Sequence, residues 1–533
     1  MRSRGARSPR ALGPRSAFWL TFVLFALLGG VWSLTSPLSA APDEAAHLAK
    51  AAGVARGQLL GEEWAPGRYV VAVPQVYDDV ADVNDCLAFR PEVSARCSPV
   101  LEETSAEPTA VLTSAGRYNP LYYALVGLPT HLAPTPVALH LVRLMSVLLC
   151  ATTLAMGVRS AVETRARTWP VLAVFGATTP MVVFMLSVVN PSSLEITAGL
   201  GLWATLLAIL RDPRPDLLRR QMLRAGVLVA LLVNAKSVSP LYLAIIVLVV
   251  VATVPWSRTR SVLVDRRAWP GLALGVAASV AAVVWIRLAG AVGRPSETPY
   301  PELTPGVAAE RVLGRSDQYL ANMLGQFGSH DTGIPLWGYI LAVLVALTPV
   351  VLALAVGSRR DRAVIGVLLV LVIALPVVLQ VPQATELGLP WQGRYVLPIA
   401  VGLPLLAGYV LAEHRDELGG RLGHRLAGML VWSWAVVQLL SVVANLRRYT
   451  AGAAWPFVAA RDPDFWTPPL GQATLLVLAV LICGGGAVLA SRLARDLARA
   501  DETTRAAPEG GDGGGTGPTG RPAVEADVAG GPR

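Results

Sequence analysis

The chain of 533 residues is 53% apolar and only 15% charged, with a mean hydropathy of +0.52. Soluble domains carry about 25% charged residues, so this composition excludes an ordinary soluble enzyme. Apolar blocks of roughly 17 to 22 residues recur along the chain, each long enough to cross the hydrocarbon core of a bilayer as a helix. The net charge of +9 does not indicate a nucleic-acid partner, because the arginines stand in short clusters between apolar blocks.

These blocks predict an all-α polytopic membrane protein with about twelve transmembrane helices. The first block follows five arginines like a signal peptide, but no convincing small-residue cleavage site comes after it, so we expect a retained helix. Asn234, Lys236 and Pro240 interrupt one apolar region, and we expect two short helices there because a single span would put an arginine cluster outside. The predicted spans begin near Phe18, Thr135, Trp169, Pro191, Met222, Pro240, Pro270, Pro335, Ala363, Tyr395, Leu426 and Gly471.

The arginine clusters predict the sidedness of the chain. They fall in alternate loops, and the positive-inside rule assigns those loops and both termini to the cytoplasm. We therefore expect a basic cytoplasmic N-terminus at 1–17, a membrane domain at 18–495 and a cytoplasmic tail at 496–533. The tail is rich in Gly, Pro and acidic residues, which predicts disorder.

Four substantial segments are then expected on the extracytoplasmic side. The first, at about 39–119, is acidic and too long for a plain connector, so it is where we expect chemistry. Cys86 and Cys97 share this loop, and the sequence leaves a disulfide between them open. The other three segments lie at 290–334, 381–394 and 445–470.

A helix start follows the first span directly. Pro42 needs no hydrogen-bond acceptor for its nitrogen in a first turn, and the carboxylates of Asp43 and Glu44 favour the positive end of the helix dipole. His47 and Lys50 stand four and seven residues after Asp43, so a carboxylate, an imidazole and a cation share one helix face. Such a face could hold a base beside a phosphate. The alternative is a well-capped interfacial helix without chemistry.

Two ionisable residues are expected near the outer ends of spans. Lys236, which with Lys50 makes up all the lysine of the chain, lies at the outer end of a short helix. Glu195 lies about one turn inside a span that begins with Asn190 and Pro191. Ionisable groups at membrane depth are usually functional and face a partner or a polar cavity. For Lys236 the alternative is snorkelling to the interface.

Two later positions join these candidates. His330 and Asp331 follow a glycine-rich turn just outside a span, although their adjacency alone is weak support for a metal or catalytic site. Arg394 stands between Trp391 and Tyr395 at an outer boundary, against the inside bias of the other arginines. Arginine binds phosphate bidentately, so Arg394 is a natural phosphate clamp. The aromatic neighbours also fit an ordinary interfacial belt.

Other classes of membrane protein lack support in the sequence. The chain has no Walker-type phosphate loop, no HExxH motif, no paired CxxC and no convincing internal repeat. These absences disfavour a nucleotide-driven pump and a membrane zinc protease.

The ordered set of motifs resembles DUF2142, a family of bacterial multi-span membrane proteins. The resemblance extends from about residue 18 to residue 490, with departures from the family pattern at Ala41, Leu48 and the pair Ser329-His330. The matching motifs are Pro42-Asp43-Glu44 with His47, Asn119-Pro120-Leu121-Tyr122-Tyr123, Asn190-Pro191, Lys236, Phe327-Gly328 with Asp331-Thr332, and Gln392-Gly393-Arg394-Tyr395.

The family in turn resembles the GT-C superfamily of membrane glycosyltransferases. That resemblance implies a helical bundle in a bacterial plasma membrane, with interfacial helices in the first outer loop. It also implies transfer of a sugar from a polyprenyl-phosphate carrier to an envelope glycan or protein. Under this hypothesis Asp43 is the base, Glu44 is the second candidate for that role, and His47 orients the base.

The remaining candidates divide into two groups under the same hypothesis. Lys50, Lys236 and Arg394 would bind the donor phosphate, which needs electrostatic stabilisation more than protonation. Glu195, His330 and Asp331 would position the acceptor or hold a divalent cation, although no ligand spacing establishes a metal.

Two other functions remain open at the level of sequence. A transporter or flippase for a lipid-linked or anionic precursor would also use Lys236 and Glu195, but it predicts polar residues through the whole bundle. A scaffold in envelope assembly predicts that Asp43→Asn is silent.

Overall fold

The computed structural model describes residues 12–290, 299–417, 421–453 and 465–505, without the side chains of 421 and 494–505. Parts of four predicted segments lie outside the described residues. They are 1–11 of the N-terminus, 291–298 of the second outer loop, 454–464 of the last outer segment and 506–533 of the tail.

The described chain is mostly helical, in agreement with the predicted fold class. A few short strands accompany the helices: β1 (Glu62–Ala65), β2 (Arg68–Pro74), β3 (Pro108–Thr113), β4 (Gln326–Phe327) and β5 (Thr332–Gly333). The helices are α1 (Pro14–Thr35), α2 (Glu44–Ala55), α3 (Val76–Leu87), α4 (Pro120–Val126), α5 (Pro136–Val162), α6 (Thr168–Ala177), α7 (Pro180–Leu186), α8 (Pro191–Arg211), α9 (Leu218–Val233), α10 (Ser239–Ala252), α11 (Trp256–Val264), α12 (Trp269–Leu288), α13 (Pro305–Leu313), α14 (Ser316–Leu324), α15 (Leu336–Val356), α16 (Arg359–Gln380), α17 (Ala384–Leu387), α18 (Leu397–Ala400), α19 (Gly402–Glu413), α20 (Arg421–Ala451) and α21 (Gln472–Arg505). The end of α21 reaches into the tail that the sequence predicts from residue 496.

Nine helices in the described chain are long and apolar enough to cross a membrane. Two bent pairs raise that number to eleven: α6 with α7 at 68° and α10 with α11 at 117°. The remaining predicted span corresponds to α9, which has only 16 residues. The break between α9 and α10 agrees with the two short helices expected there. The count of twelve spans stays a prediction.

Helix α8 is the centre of the bundle. Every residue of α8 except Leu206 is buried, and the helix packs on α5, α9, α10 and α19. The side chain of Asn190 caps it by accepting a hydrogen bond from the Ser192 nitrogen, and Pro191 occupies the first turn, as the sequence predicts. Glu195 therefore has a fixed position in the middle of the protein, one turn from the start of α8.

The segment predicted as the first outer loop forms a small layer of helices and sheet. It contains α2, α3 and α4, whose interfacial position stays a prediction, and the antiparallel sheet β1–β2–β3, which was not predicted. In β2, Tyr69, Val71 and Val73 alternate inward, as expected of a strand with one buried face. Cys86 and Cys97, whose pairing the sequence left open, form a disulfide.

Glycines let α9 and α12 approach closely. A Cβ atom added at Gly271 would lie 2.0 Å from the backbone oxygen of Met222, and one added at Gly226 would lie 2.5 Å from the Gly271 oxygen. Small residues at such crossings allow membrane helices to pack backbone against backbone.

We expect Gly271→Ala to destabilise the protein by about 1–3 kcal/mol or more, because the methyl group has to push α9 away from α12. Gly484→Ala on α21 is the matched control, since a Cβ atom there meets open space. The melting temperature of the detergent-purified protein measures both effects. Equal melting temperatures for the two variants would contradict the close crossing.

Candidate functional site

A buried ion pair fixes the start of α2. Arg143 of α5 donates from Nε and Nη2 to the two carboxylate oxygens of Glu44 at 2.7 and 2.5 Å, and both side chains are fully buried. The same carboxylate accepts hydrogen bonds from the backbone nitrogens of Ser39 and Val189, each at 3.0 Å. Glu44 therefore has its oxygens occupied, and its contacts favour a structural role over that of a second base.

Asp43, the neighbour of Glu44, has a more accessible carboxylate. It is the N-cap residue of α2 with φ of 62°, in the left-handed region, and its side chain makes no capping hydrogen bond. The helix begins at Glu44, two residues after Pro42, rather than at the proline as expected from the sequence. The Asp43 side chain is 54% exposed and lies 3.5 Å from Nη2 of Arg394.

Arg394 is a buried cation with unused hydrogen-bonding capacity. Its side chain is 1% exposed, and its Nε and Nη2 atoms have no hydrogen-bond partner among the described residues. The backbone around it is tightly held, because Gly393 donates to the Asn322 side chain at 3.1 Å and has no room for a Cβ atom beside Tyr319. Buried donors without acceptors are costly, and a bound anion would supply the missing acceptors.

Lys236, in the turn between α9 and α10, is a second cation close to Arg394 and Tyr395. Its amine donates to the Ser192 hydroxyl at 2.9 Å and lies 4.3 Å from the centre of the Tyr395 ring. Arg394 lies 5.3 Å from the centre of the same ring, so Tyr395 is close to both cations. Such contacts with an aromatic face stabilise a positive charge.

Lys236 keeps its charge in this environment. Burial works to lower its pKa, but Tyr118, Glu195 and Tyr395 offset burial and raise the pKa above its usual value. Glu195 is held by the Ser239 hydroxyl, which donates to its carboxylate at 2.6 Å. Glu195 therefore contributes negative charge near Lys236, while its hydrogen bond goes to Ser239 rather than to the amine.

His47 is neutral and oriented by tyrosines. Its Nδ1 atom shares a hydrogen bond of 2.8 Å with the Tyr123 hydroxyl, and its ring meets Tyr118 edge-on. Burial lowers the pKa of His47 to about 3; Asp43 opposes this shift, while Lys236 and Arg394 add to it. His47 is therefore an uncharged polar group beside Asp43 and the two cations.

Lys50 lies apart from these residues. Its amine donates to the backbone oxygens of Leu59 and Gly116, both at 2.7 Å. Burial lowers the pKa of Lys50 to about 8. These contacts favour a role in tying α2 to the loop around it, and the phosphate-binding role predicted for Lys50 has no supporting contact.

His330 and Asp331 face different neighbours. Burial, followed by the charge of Arg394, lowers the pKa of the His330 imidazole to about 4, so the ring is neutral. Asp331 pairs with Arg448 of α20 at 3.3 Å. Within the described residues, no three His, Cys, Asp or Glu side chains come together as metal ligands. A divalent cation stays a prediction from the sequence.

Sequence reasoning missed several residues that hold the site. Arg143 lies within a predicted span, and an arginine at that depth is a signal that could have identified it. Tyr118 and Ser192 stand next to motifs that were noted, but nothing in the sequence indicates that they contact His47 and Lys236.

The chain belongs to the family DUF2142, described as predicted membrane proteins, which matches residues 25–403. It is therefore a multi-pass membrane protein. Among solved structures it is similar to ArnT from Cupriavidus metallidurans bound to undecaprenyl phosphate, with 14% sequence identity and a TM-score of 0.38. That similarity covers 89% of this chain and 76% of ArnT. No curated protein matches the chain.

Neutralising Glu44 and neutralising Asp43 should have very different effects on the stability of the protein. We expect Glu44→Gln to destabilise the protein by about 3–5 kcal/mol, because it leaves the buried Arg143 charge without its partner. Asp43→Asn, at a half-exposed position, should change stability by less than about 1 kcal/mol. Melting temperatures in detergent distinguish the two variants. Equal losses would contradict the structural role of Glu44.

Acid should destabilise the protein partly through His47. The unfolded chain binds a proton at this imidazole below its usual pKa of 6.5, whereas the folded chain does not until about pH 3. Stability therefore falls as pH falls, by about 2 kcal/mol between pH 6.5 and 5. Melting curves of wild type and His47→Asn across this range isolate the effect, since other histidines contribute equally to both. An unchanged slope in His47→Asn would contradict the neutral imidazole.

Proposed function

We propose that the protein is a membrane glycosyltransferase that moves a sugar from a polyprenyl-phosphate-linked donor to an extracytoplasmic envelope acceptor. One observation carries this proposal: two cations, Arg394 and Lys236, flank Tyr395, and a half-exposed carboxylate, Asp43, lies 3.5 Å from the first of them. A phosphate clamp beside a base is the arrangement that sugar transfer from a lipid phosphate needs.

The cations would act on the leaving group. As the bond between the anomeric carbon and the phosphate oxygen breaks, the electron pair stays on the polyprenyl phosphate, which gains a negative charge. Lys236 and Arg394 would stabilise that charge through hydrogen bonds that need no rearrangement during the reaction. Ser192 would hold the Lys236 amine. Glu195 would hold the backbone of Lys236 through Ser239, whose hydroxyl donates to the carboxylate and accepts from the Lys236 nitrogen.

Asp43 would act on the nucleophile. The acceptor hydroxyl attacks the anomeric carbon and transfers its proton to the Asp43 carboxylate. His47 and His330, both neutral beside the two cations, would orient the sugar or its acceptor without adding positive charge. A single base opposite a single leaving group gives one displacement and therefore inversion at the anomeric carbon.

The charge distribution along α8 favours transfer over transport. Glu195 stands near the first end of the helix and Arg211 at the other, where it pairs with Asp361 of α16 and Glu413 of α19. The residues of α8 between them are uncharged. A path for an anionic precursor would need polar side chains through this central region.

We expect membranes with wild-type protein to transfer radiolabelled sugar from polyprenyl-phosphate donors to an envelope product. Asp43→Asn should lower the rate by about 10²–10⁴-fold through loss of the base. Arg394→Ala should lower it by about 10²–10³-fold through loss of charge stabilisation. Asp82→Asn is the control, because Asp82 is an exposed carboxylate of the same outer layer.

Variants that match wild type in this assay would contradict the catalytic assignment. Absence of transfer by wild type with every donor would contradict the transferase, and uptake of lipid-linked precursors into proteoliposomes would then test the transporter alternative.

A further inference from the structure

A cavity of about 310 Å³ opens beside Asp43 within the first outer loop. It lies between the start of α2, strand β3 and helix α3. Its volume is at the lower end of the range of small-molecule sites, about 300–1,000 Å³. Asp43 lines this cavity and also pairs with Arg394, so the carboxylate separates the cavity from the two cations.

Two polar atoms of the cavity wall lack partners. The Ser39 hydroxyl and the side-chain oxygen of Asn84 are both buried and have no hydrogen-bond partner among the described residues. Ser39 is 1% exposed, and its backbone has a φ of 62°, which is unusual for serine. Buried polar groups are nearly always hydrogen-bonded, and rotation of either side chain toward the cavity would give it a partner in a polar ligand.

The charges of the cavity wall differ from those around Lys236. Asp85 and Arg68 line the cavity with opposite charges, while Arg143 and Arg394 balance the charges of Glu44 and Asp43. The wall therefore carries no excess positive charge that would hold an anion. A ligand with neutral hydroxyl groups can instead donate to the carboxylates and to Asn84 and accept from Arg68.

We propose that this cavity binds the sugar acceptor, and that the acceptor is an uncharged glycan end rather than a phosphodiester polymer or a phosphorylated lipid. This inference rests on the proposed transferase. The acceptor hydroxyl enters from the cavity side of Asp43 and the donor phosphate from the side of Lys236 and Arg394. The two substrates then bind at different places because of their charge. The phosphate binds at the cations, and the neutral glycan binds in the cavity.

Radiolabelled donor tests the assignment through two quantities, the labelling of the envelope product and the binding of the donor to the purified protein. Asn84→Ala and Asp85→Asn should lower labelling of the product at least fivefold while donor binding stays within twofold of wild type. Asp82→Asn, on the same helix but outside the cavity, should change neither quantity. The inference is overturned if both cavity variants behave like Asp82→Asn, or if both lose donor binding as well.

A second experiment measures binding without catalysis. Ser114 lines the cavity and is exposed, and the free cysteines Cys150 and Cys483 are buried, so Ser114→Cys introduces one thiol for maleimide. The probes are the neutral and the anionic fractions of a mild-acid hydrolysate of the envelope. The neutral fraction should slow the reaction at least fivefold in Ser114→Cys and not in Ser105→Cys, whose exposed side chain lies outside the cavity.

Protection by the anionic fraction, or by neither fraction, overturns the inference. Because this assay needs no donor, it separates the two proposals. If the neutral fraction protects Ser114→Cys but wild type transfers no sugar, the glycan site is supported and the transferase is contradicted. If wild type transfers sugar but the neutral fraction does not protect, the transferase is supported and the glycan site is contradicted.

Discussion

The buried pair of Arg143 and Glu44 is the interaction on which the candidate site depends. Two charges inside a bundle are stabilising only when geometry and hydrogen bonds are complete, and here the guanidinium also donates to the backbone oxygens of Ser33, Ser36 and Pro37. The pair thereby ties the end of α1, the start of α2 and the middle of the bundle to one point. Asp43 is the residue directly before Glu44, so that anchor fixes its backbone position.

The buried cations of the protein differ in the partners that surround them. At one end of α8, Arg211 is paired with Asp361 and Glu413, and Arg224 of α9 is paired with Glu163, so these charges are balanced within the fold. At the other end, Arg394 has one carboxylate at 3.5 Å and two nitrogens without a hydrogen-bond acceptor among the described residues, and Lys236 has a serine, a ring and the nearby charge of Glu195. The first arrangement stabilises helix contacts. The second leaves guanidinium donors available to an anion, which is what binding of a phosphate requires.

The local sequence was sufficient to predict the helices and the candidate residues, but not to predict which residues contact one another. The apolar blocks predicted the helices, and Asp43, Lys236 and Arg394, predicted from unrelated motifs, meet around Tyr395. The choice between Asp43 and Glu44 depended on Arg143, about one hundred residues away in sequence, which no spacing rule can locate. Lys50 shares a helix with His47, yet its amine donates to the backbone oxygen of Gly116 and does not join Lys236 and Arg394. The residues on one face of a helix do not determine which part of the protein packs against that face. Strands β1, β2 and β3 were missed because they are short and because β2 also carries apolar residues, Val70 and Ala72, on its less buried face, so that its sequence does not alternate.

The shortness of α9 has a consequence for the lipid around the protein if the helix crosses the membrane as the sequence predicts. Its 16 residues span about 24 Å against about 30 Å of hydrocarbon. A bilayer accommodates such hydrophobic mismatch by thinning beside the helix. Headgroups would then lie closer to the turn that carries Lys236. Under the proposed function, this depression would bring the phosphate of a membrane-anchored carrier sideways to the amine, with its hydrocarbon tail remaining in the bilayer.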